Sequence, residues 1–376
     1  MEAVNSKYNV LVVTDILDRS ELALLIGLFK SRINIEVICT PTYDRQGELK
    51  DAGMTVHPYN IRHRLDIKAI AYIRRKLDTK NYRIVYALRN SSLAVSLFAS
   101  MGKAVKIVGY RGTTGHMRGL LNPESYITYQ NPGVDQIICV SNAVKNYLAS
   151  RHIPASKLTT IYKGHEIAWY PAGGPKAPPA ESGLPIPKEA FVVGFVGNIR
   201  PVKGVDVLIR AIQYIPASKN IYFVIIGDIR DPKIKKMRTN PAVTHRAYFA
   251  GFKKNAAMLM KYFDVFVMPS VAREGLPQAL LEAMAQKIPS IASNVGGIPE
   301  IVIDRENGLI VPPGDPEKLA QAILFLFGHA EVCQKLGENA EKRIKADFNI
   351  NDTIRQTMGL FDQLASMPPG RKPGPA

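Results

Sequence analysis

Glu274 and Glu282 flank a Gly-Leu-Pro turn in REGLPQALLEAMAQKIPSIASNVGGIPEIV (Arg273–Val302). VFVMPS before it has the residues of a strand, SVAREG those of a loop, and Pro277 reads as the first helical residue, where a missing N–H costs nothing. A strand-to-helix turn leaves amides around Gly275, Leu276 and Gln278 unpaired, and such a helix end attracts anions. Two carboxylates at that mouth repel a phosphate but accept hydrogen bonds from sugar hydroxyls. Glu282, in the second turn, leans back toward the same end because helical side chains tilt toward the N-terminus. The pattern suits a ligand carrying both a diphosphate and diols. Dipole complementation by Glu274, with Glu282 solvated, is the plainer alternative.

A second constellation lies in FVVGFVGNIRPVKGVDVLIRAI (Phe191–Ile212). A strand ends at Gly197, a loop carries Asn198, Arg200 and Lys203, and Gly204 leads into a helix. Cations beside free helix amides form an anion site. An ordinary solvated loop is the alternative. Neither a Walker A loop nor a GxGxxG fingerprint is present, which argues against nucleotide hydrolases and nicotinamide enzymes.

These loops need strands to hold them. NVLVVTD, INIEVICT, YRIVYAL, AVKIVGY and QIICVS in the first half, and FVVGFVG, NIYFVIIG, YFAGF, VFVMPS, PSIAS and NGLIVPP in the second, are short apolar runs. Helix-length segments separate most of them, which predicts α/β domains with parallel sheets covered on both faces. Between the halves, PAGGPKAPPAESGLPIPKEA is rich in proline and glycine and reads as a linker. The expected organisation is a domain over 1–170, a linker over 171–190, a second domain over 191–346, a C-terminal helix over 347–366 packing back on the first domain, and a disordered tail over 367–376. At 376 residues the chain exceeds what one core usually organises.

Composition narrows the classes further. The content is 46% hydrophobic and 22% charged, as in ordinary globular proteins. Apolar runs such as LALLIGLF fall short of the ~18–20 residues that cross a bilayer. The first residues do not read as a signal peptide. Three scattered cysteines, Cys39, Cys139 and Cys333, support neither a disulfide frame nor a zinc site, and no metal is expected. Together these features set the expectation of a cytoplasmic protein. The net charge of +17 is unusual and suits nucleic acid, an anionic membrane or a phosphorylated substrate. No nucleic-acid motif accompanies it, so no nucleic acid is expected, although a basic nucleic-acid-binding α/β protein stays open as a different class. IRHRLDIKAIAYIRRKLDTKNYR (Ile61–Arg83) is a basic helix that could press on anionic lipid or simply present a solvated face.

With both constellations in view, the chain resembles glycosyltransferase family 4, the retaining sugar-nucleotide transferases of GT-B architecture. GNIRPVKGVDVLIRAI resembles that family's donor-phosphate loop. EGLPQALLEAMAQKIPSIASNVGGIPEIV with NGLIVPPGD resembles its Glu-x7-Glu region. DQIICVSNAVKNYL and KLTTIYKGHE are similar to the family's last N-domain strands.

The resemblance implies two Rossmann-like, doubly wound parallel-sheet domains facing each other across a cleft. Lys203 would neutralise donor phosphate with Arg200 as helper. Gly275, Leu276 and nearby amides would cradle the diphosphate. Glu274 would contact the transferred sugar and Glu282 the ribose diol. Asn198 replaces the arginine the family often has after the strand-ending glycine, and EGLP shortens the usual EGFGLP. No glycine precedes Gly27 where the family has an N-terminal glycine-rich loop. In YRGTTGHMRG, His116, or Arg111 at the strand end, is the candidate for the family's N-domain histidine position.

The implied function is hexose transfer from a nucleotide-diphosphate sugar, most simply a UDP-sugar, as co-substrate with no separate cofactor. The acceptor would be a glycan or lipid-linked anionic hydroxyl compound, as in lipopolysaccharide core assembly, with peripheral association at the cytoplasmic face of the inner membrane. A soluble sugar or glucan acceptor, or a sugar-nucleotide epimerase of similar architecture, are the alternatives.

Overall fold

A computed structural model describes residues 6–115, 123–170, 184, 186–187 and 189–368. Among these residues thirteen strands form two sheets, each wholly parallel. The first holds β1 (Asn9–Val13), β2 (Asn34–Cys39), β3 (Thr55–Pro58), β4 (Tyr82–Ala87), β5 (Lys106–Arg111), β6 (Gln136–Cys139) and β7 (Leu158–Thr160), in the order β3-β2-β1-β4-β5-β6-β7. The second holds β8 (Phe191–Val196), β9 (Ile221–Ile226), β10 (Ala247–Gly251), β11 (Val265–Met268), β12 (Ser290–Ser293) and β13 (Leu309–Val311), in the order β10-β9-β8-β11-β12-β13.

The central strands are apolar on both faces because helices cover both. Val10 to Val13 of β1 and Val265 to Met268 of β11 are essentially without solvent exposure. Both sheets reverse strand order once, between β1 and β4 and between β8 and β11. In open α/β sheets ligands bind beyond the strand C-termini at such a reversal. That rule directs attention to the loops after Val196 and Met268, where the two constellations lie.

The predicted strands form, and two edge elements join them. β3 (TVHP) carries histidine and proline and is partly exposed, so it lacks the apolar run that marks the others. β7 is three residues long. The helices Val205–Ala211 and Ala256–Leu259 each run on into a 3-10 turn, Ile212–Tyr214 and Met260–Tyr262. Pro277 differs from expectation. Its φ of −69° and ψ of 113° make it the residue before the helix Gln278–Ala285, its carbonyl accepting the amides of Leu280 and Leu281.

The chain divides into two compact units, one containing residues up to Gly164 plus the helix Ile350–Ser366, the other running His165–Asn349. That last helix packs against the first unit through Gly27, whose Cα faces Ile354, and Phe361, which meets Tyr86 edge-on at 5.4 Å. Most of the predicted linker (171–183, 185 and 188) and the tail beyond 368 lie outside the described residues. Among the described residues no helix is long and apolar enough to cross a membrane.

Candidate functional site

Three loops at the C-terminal edge of the second sheet converge on Glu274. The loop after β8 turns through the short 3-10 helix Pro201–Lys203 and closes at Gly204, whose φ is 64°. A Cβ there would lie 1.9 Å from the carbonyl oxygen of Pro269, so only glycine permits this approach. The Val271 amide, donating to the Val202 carbonyl at 2.9 Å, ties the loop after β11 to the loop after β8. From the far side Gly296, φ 57°, presses on the backbone of Glu274, and a Cβ would lie 2.0 Å from its carbonyl oxygen.

Within this frame Lys203 Nζ donates to Glu274 Oε1 at 2.7 Å, and Ser270 Oγ donates to the same oxygen at 2.5 Å. Glu274 is only 6% exposed, so this is a shielded, charge-assisted pair. Arg273, immediately before it, has a left-handed φ of 64°, a conformation that costs a non-glycine residue ~1–2 kcal/mol. Gly275, Leu276 and Pro277 follow, all buried. No side chain caps the helix Gln278–Ala285, whose inner face is fixed by Leu280, Leu281 and Met284. Its first amides are therefore donors without an intrahelical acceptor.

The sequence-predicted residues divide accordingly. Lys203 and Glu274 are in direct contact, with Gly275 and Leu276 adjoining in the chain. Gln278 and Glu282 are half-buried on the helix that follows. Asn198 and Arg200 share the Lys203 loop and are exposed. His116 lies outside the described residues. Arg111 is buried and spends its guanidinium on the carbonyls of Thr113 and Gly115 and on the face of Tyr129 at 5.0 Å, so it holds its own loop. Ser270 escaped the sequence reading. Its only signal there was a hydroxyl closing a strand-like run four residues before Glu274.

A second charged cluster, also unread from sequence, occupies the order reversal of the first sheet. Asp18 and Glu21 form a capping box at the start of helix Arg19–Lys30, just past β1. Arg89, past β4, donates to both oxygens of Glu21 at 3.0 and 2.9 Å and pairs with Asp15 at 3.2 Å. Lys163 reaches Glu21 at 3.2 Å and also pairs with Asp18. Burial alone would raise the Glu21 carboxyl, but Lys163 and Arg89 outweigh it and bring it down to about 2. The same carboxylates, with Tyr110, push the Lys163 ammonium up against the effect of its own burial. Where the family resemblance anticipates a glycine-rich loop, this chain has a capped helix locked by two cations.

Among the described residues no group of three or more His, Cys, Asp or Glu is placed to hold a metal ion.

Comparison with known proteins bears on both domains. Residues 22–169 match the profile of Glycosyltransferase Family 4, and residues 179–343 that of Glycosyl transferases group 1. An uncharacterized glycosyltransferase of Methanocaldococcus jannaschii is 31% identical over 64% of this chain and 63% of its own length. The lipopolysaccharide core biosynthesis glycosyltransferase LpsE of Rhizobium meliloti is 31% identical over 49% of this chain and 53% of its own. The chain spans about three-fifths of the length of the first curated relatives it matches, 59%, 63% and 59%. Among solved structures, Anabaena HepE in complex with UDP-glucose superposes with a TM-score of 0.78 at 20% identity, covering 96% of this chain and 100% of that one. Two doubly wound parallel-sheet domains, with a Glycosyltransferase Family 4 match on the first and a Glycosyl transferases group 1 match on the second, give this chain the GT-B architecture, built from two segments that each match a glycosyltransferase family.

Proposed function

We propose that this chain is a retaining glycosyltransferase that moves a hexose from a nucleotide-diphosphate sugar, a UDP-sugar in the simplest case, to an acceptor hydroxyl in lipopolysaccharide core or other cell-envelope glycan assembly. The observation that carries the reading is the shielded Lys203–Glu274 pair at the order reversal of the second sheet. The carboxylate and the lysine neutralise each other. A donor diphosphate would take over as the partner of Lys203, leaving Glu274 to accept hydrogen bonds from the sugar.

The amides at Gly275, Leu276 and Gln278 would share the negative charge that grows on the leaving diphosphate, with Arg200 and Asn198 at the exposed rim. Glu282 would accept from the ribose diol. In this reading the sugar nucleotide is a co-substrate and no further cofactor is needed. Support comes from the UDP-glucose held by the Anabaena protein of similar fold and from the lipopolysaccharide-core role in the name of the R. meliloti relative. At the first sheet's reversal two cations face three carboxylates, so an anionic acceptor group would be met by other cations of that unit. Cytoplasmic action, where sugar nucleotides are made, completes the reading.

A thermal-shift screen of UDP-, GDP- and ADP-sugars tests it, because a ligand of the native state raises its melting temperature by mass action. One donor class should stabilise the protein. Lys203→Ala should weaken that donor by about 10- to 100-fold, the equivalent of a charge-assisted contact worth ~1.5–3 kcal/mol. Glu274→Gln, which keeps an acceptor for Ser270, should retain donor binding and lose turnover. Undiminished donor affinity in Lys203→Ala would remove the assignment.

A further inference from the structure

The first unit carries a surface that the donor reading leaves unused. Helix Ile67–Thr79 begins at Asp66, the only acid in the run from Ile61 to Leu77. Asp66 is 7% exposed and turned inward, its carboxylate accepting the amides of Arg62 and Ala69, both at 3.1 Å. It therefore offers little negative charge to the outside. The helix buries Ala69 and Ile73, one turn apart, against its own unit. The opposite side presents Ile67, which is 79% exposed, beside Leu65 at 52%. Arg62 and Lys68, near these two residues in sequence, and Arg75, two turns further along the helix, are exposed.

A single exposed aliphatic residue is ordinary, but Leu65 and Ile67 lie two positions apart at a helix start, and a solvated charged face needs neither. Two exposed aliphatic tips in a segment of exposed cations, with the local acid withdrawn as a cap, match a surface that is negative outside and hydrocarbon beneath. A nucleic-acid backbone would reward the cations but leave Leu65 and Ile67 without a partner. We propose that the start of helix Ile67–Thr79, with the Arg62–Leu65 segment before it, docks this unit on an anionic lipid bilayer. Leu65 and Ile67 enter the headgroup boundary while Arg62, Lys68 and Arg75 face lipid phosphates. The inference is independent of the donor site, since it concerns the other unit and different residues.

Co-sedimentation with vesicles of phosphatidylglycerol and phosphatidylcholine, against vesicles of phosphatidylcholine alone, is the test. Wild-type protein should bind the anionic vesicles at low salt and lose them as salt rises. The double variant Leu65→Ser/Ile67→Ser should lower partitioning about tenfold or more, through lost apolar burial alone. Arg62→Ala/Lys68→Ala should do the same through lost charge. Tyr214→Ser, an exposed aromatic in the second unit, should bind as wild type does. All variants alter exposed side chains, and an unchanged melting temperature reports that each is folded. Vesicle binding equal to wild type in both double variants would overturn the proposal. So would no binding to anionic vesicles, or salt-sensitive binding of a DNA duplex in place of vesicles.

Discussion

The two ion clusters use charge in opposite ways. Glu274 has a cationic partner, Lys203, with Ser270 donating to the same carboxylate oxygen. Glu21 is instead held by two cations at once, and neither Lys163 nor Arg89 can leave without stranding a buried charge. The pH dependence of stability should report this. Glu21 titrates near 2 in the folded chain against an ordinary 4.5, and so does Glu36, where burial is outweighed by His57, Lys80 and Tyr82. A depressed carboxylate stabilises the fold fully above its unfolded value, and that stability is lost as pH falls toward the folded value. The acid limb between about pH 4.5 and 2 should therefore steepen by up to ~1.4 kcal/mol per pH unit for each of these groups. Glu21→Gln should lower stability at neutral pH and flatten that limb by one proton's worth, leaving the Glu36 part. Urea unfolding across the pH range measures it, and an unaltered slope would show that Glu21 is not held as described.

At the scale of elements, the Lys203–Glu274 contact depends on how closely three strand-end loops pack. Gly204 makes the prediction concrete. Its left-handed φ costs an alanine ~1–2 kcal/mol before any contact is counted, and the added carbon would collide with the Pro269 carbonyl. Gly204→Ala should therefore push the β8 and β11 loops apart, pulling Lys203 from Glu274. The expected result is a lower melting temperature together with loss of the sugar-nucleotide shift, measured in the same scan. Alanine at Gly102, which also has positive φ but open space around it, controls for backbone strain alone.

This scale also explains what could be read without coordinates. Central strands such as FVVGFV announce themselves because a parallel strand covered on both faces must be apolar at every position. The strand-to-helix turn at EGLP carries its own chemistry in adjacent residues, so Lys203 and Glu274 were legible on their loops, though their contact across 71 positions was not. Ser270 lies four residues from Glu274, and Asp18-x-x-Glu21 is a capping-box pattern before an apolar run, so both had local signals that mark a loop and a helix start but no ion cluster. Arg89 and Lys163 meet Glu21 across 68 and 142 positions, and neither periodicity nor turn chemistry links residues so distant.

At the scale of the whole molecule, the path of the chain matters more than the count of its domains. It leaves the first unit at Gly164, builds the second through Asn349, and then returns a helix, Ile350–Ser366, to the first. Along that helix Thr353 donates to the Tyr162 carbonyl at 2.8 Å, Phe361 is fully buried against Tyr86, and Asp362 accepts from the Tyr8 hydroxyl at 2.7 Å. Residues far apart in sequence thus complete one core, and the first unit cannot finish folding until the second has been synthesised. Removing the largest apolar anchor should therefore weaken one unit selectively. Phe361→Ala should cost ~3–5 kcal/mol, the usual range for emptying a buried phenyl site. Hydrogen exchange resolves where the loss falls: amides of β1, β4 and β5 should exchange faster, while those of β8, β9 and β11 keep their protection. Equal loss in both sets would mean that the returning helix supports more than the unit it packs against, and protection unchanged in β1 and β4 would mean that Phe361 anchors nothing.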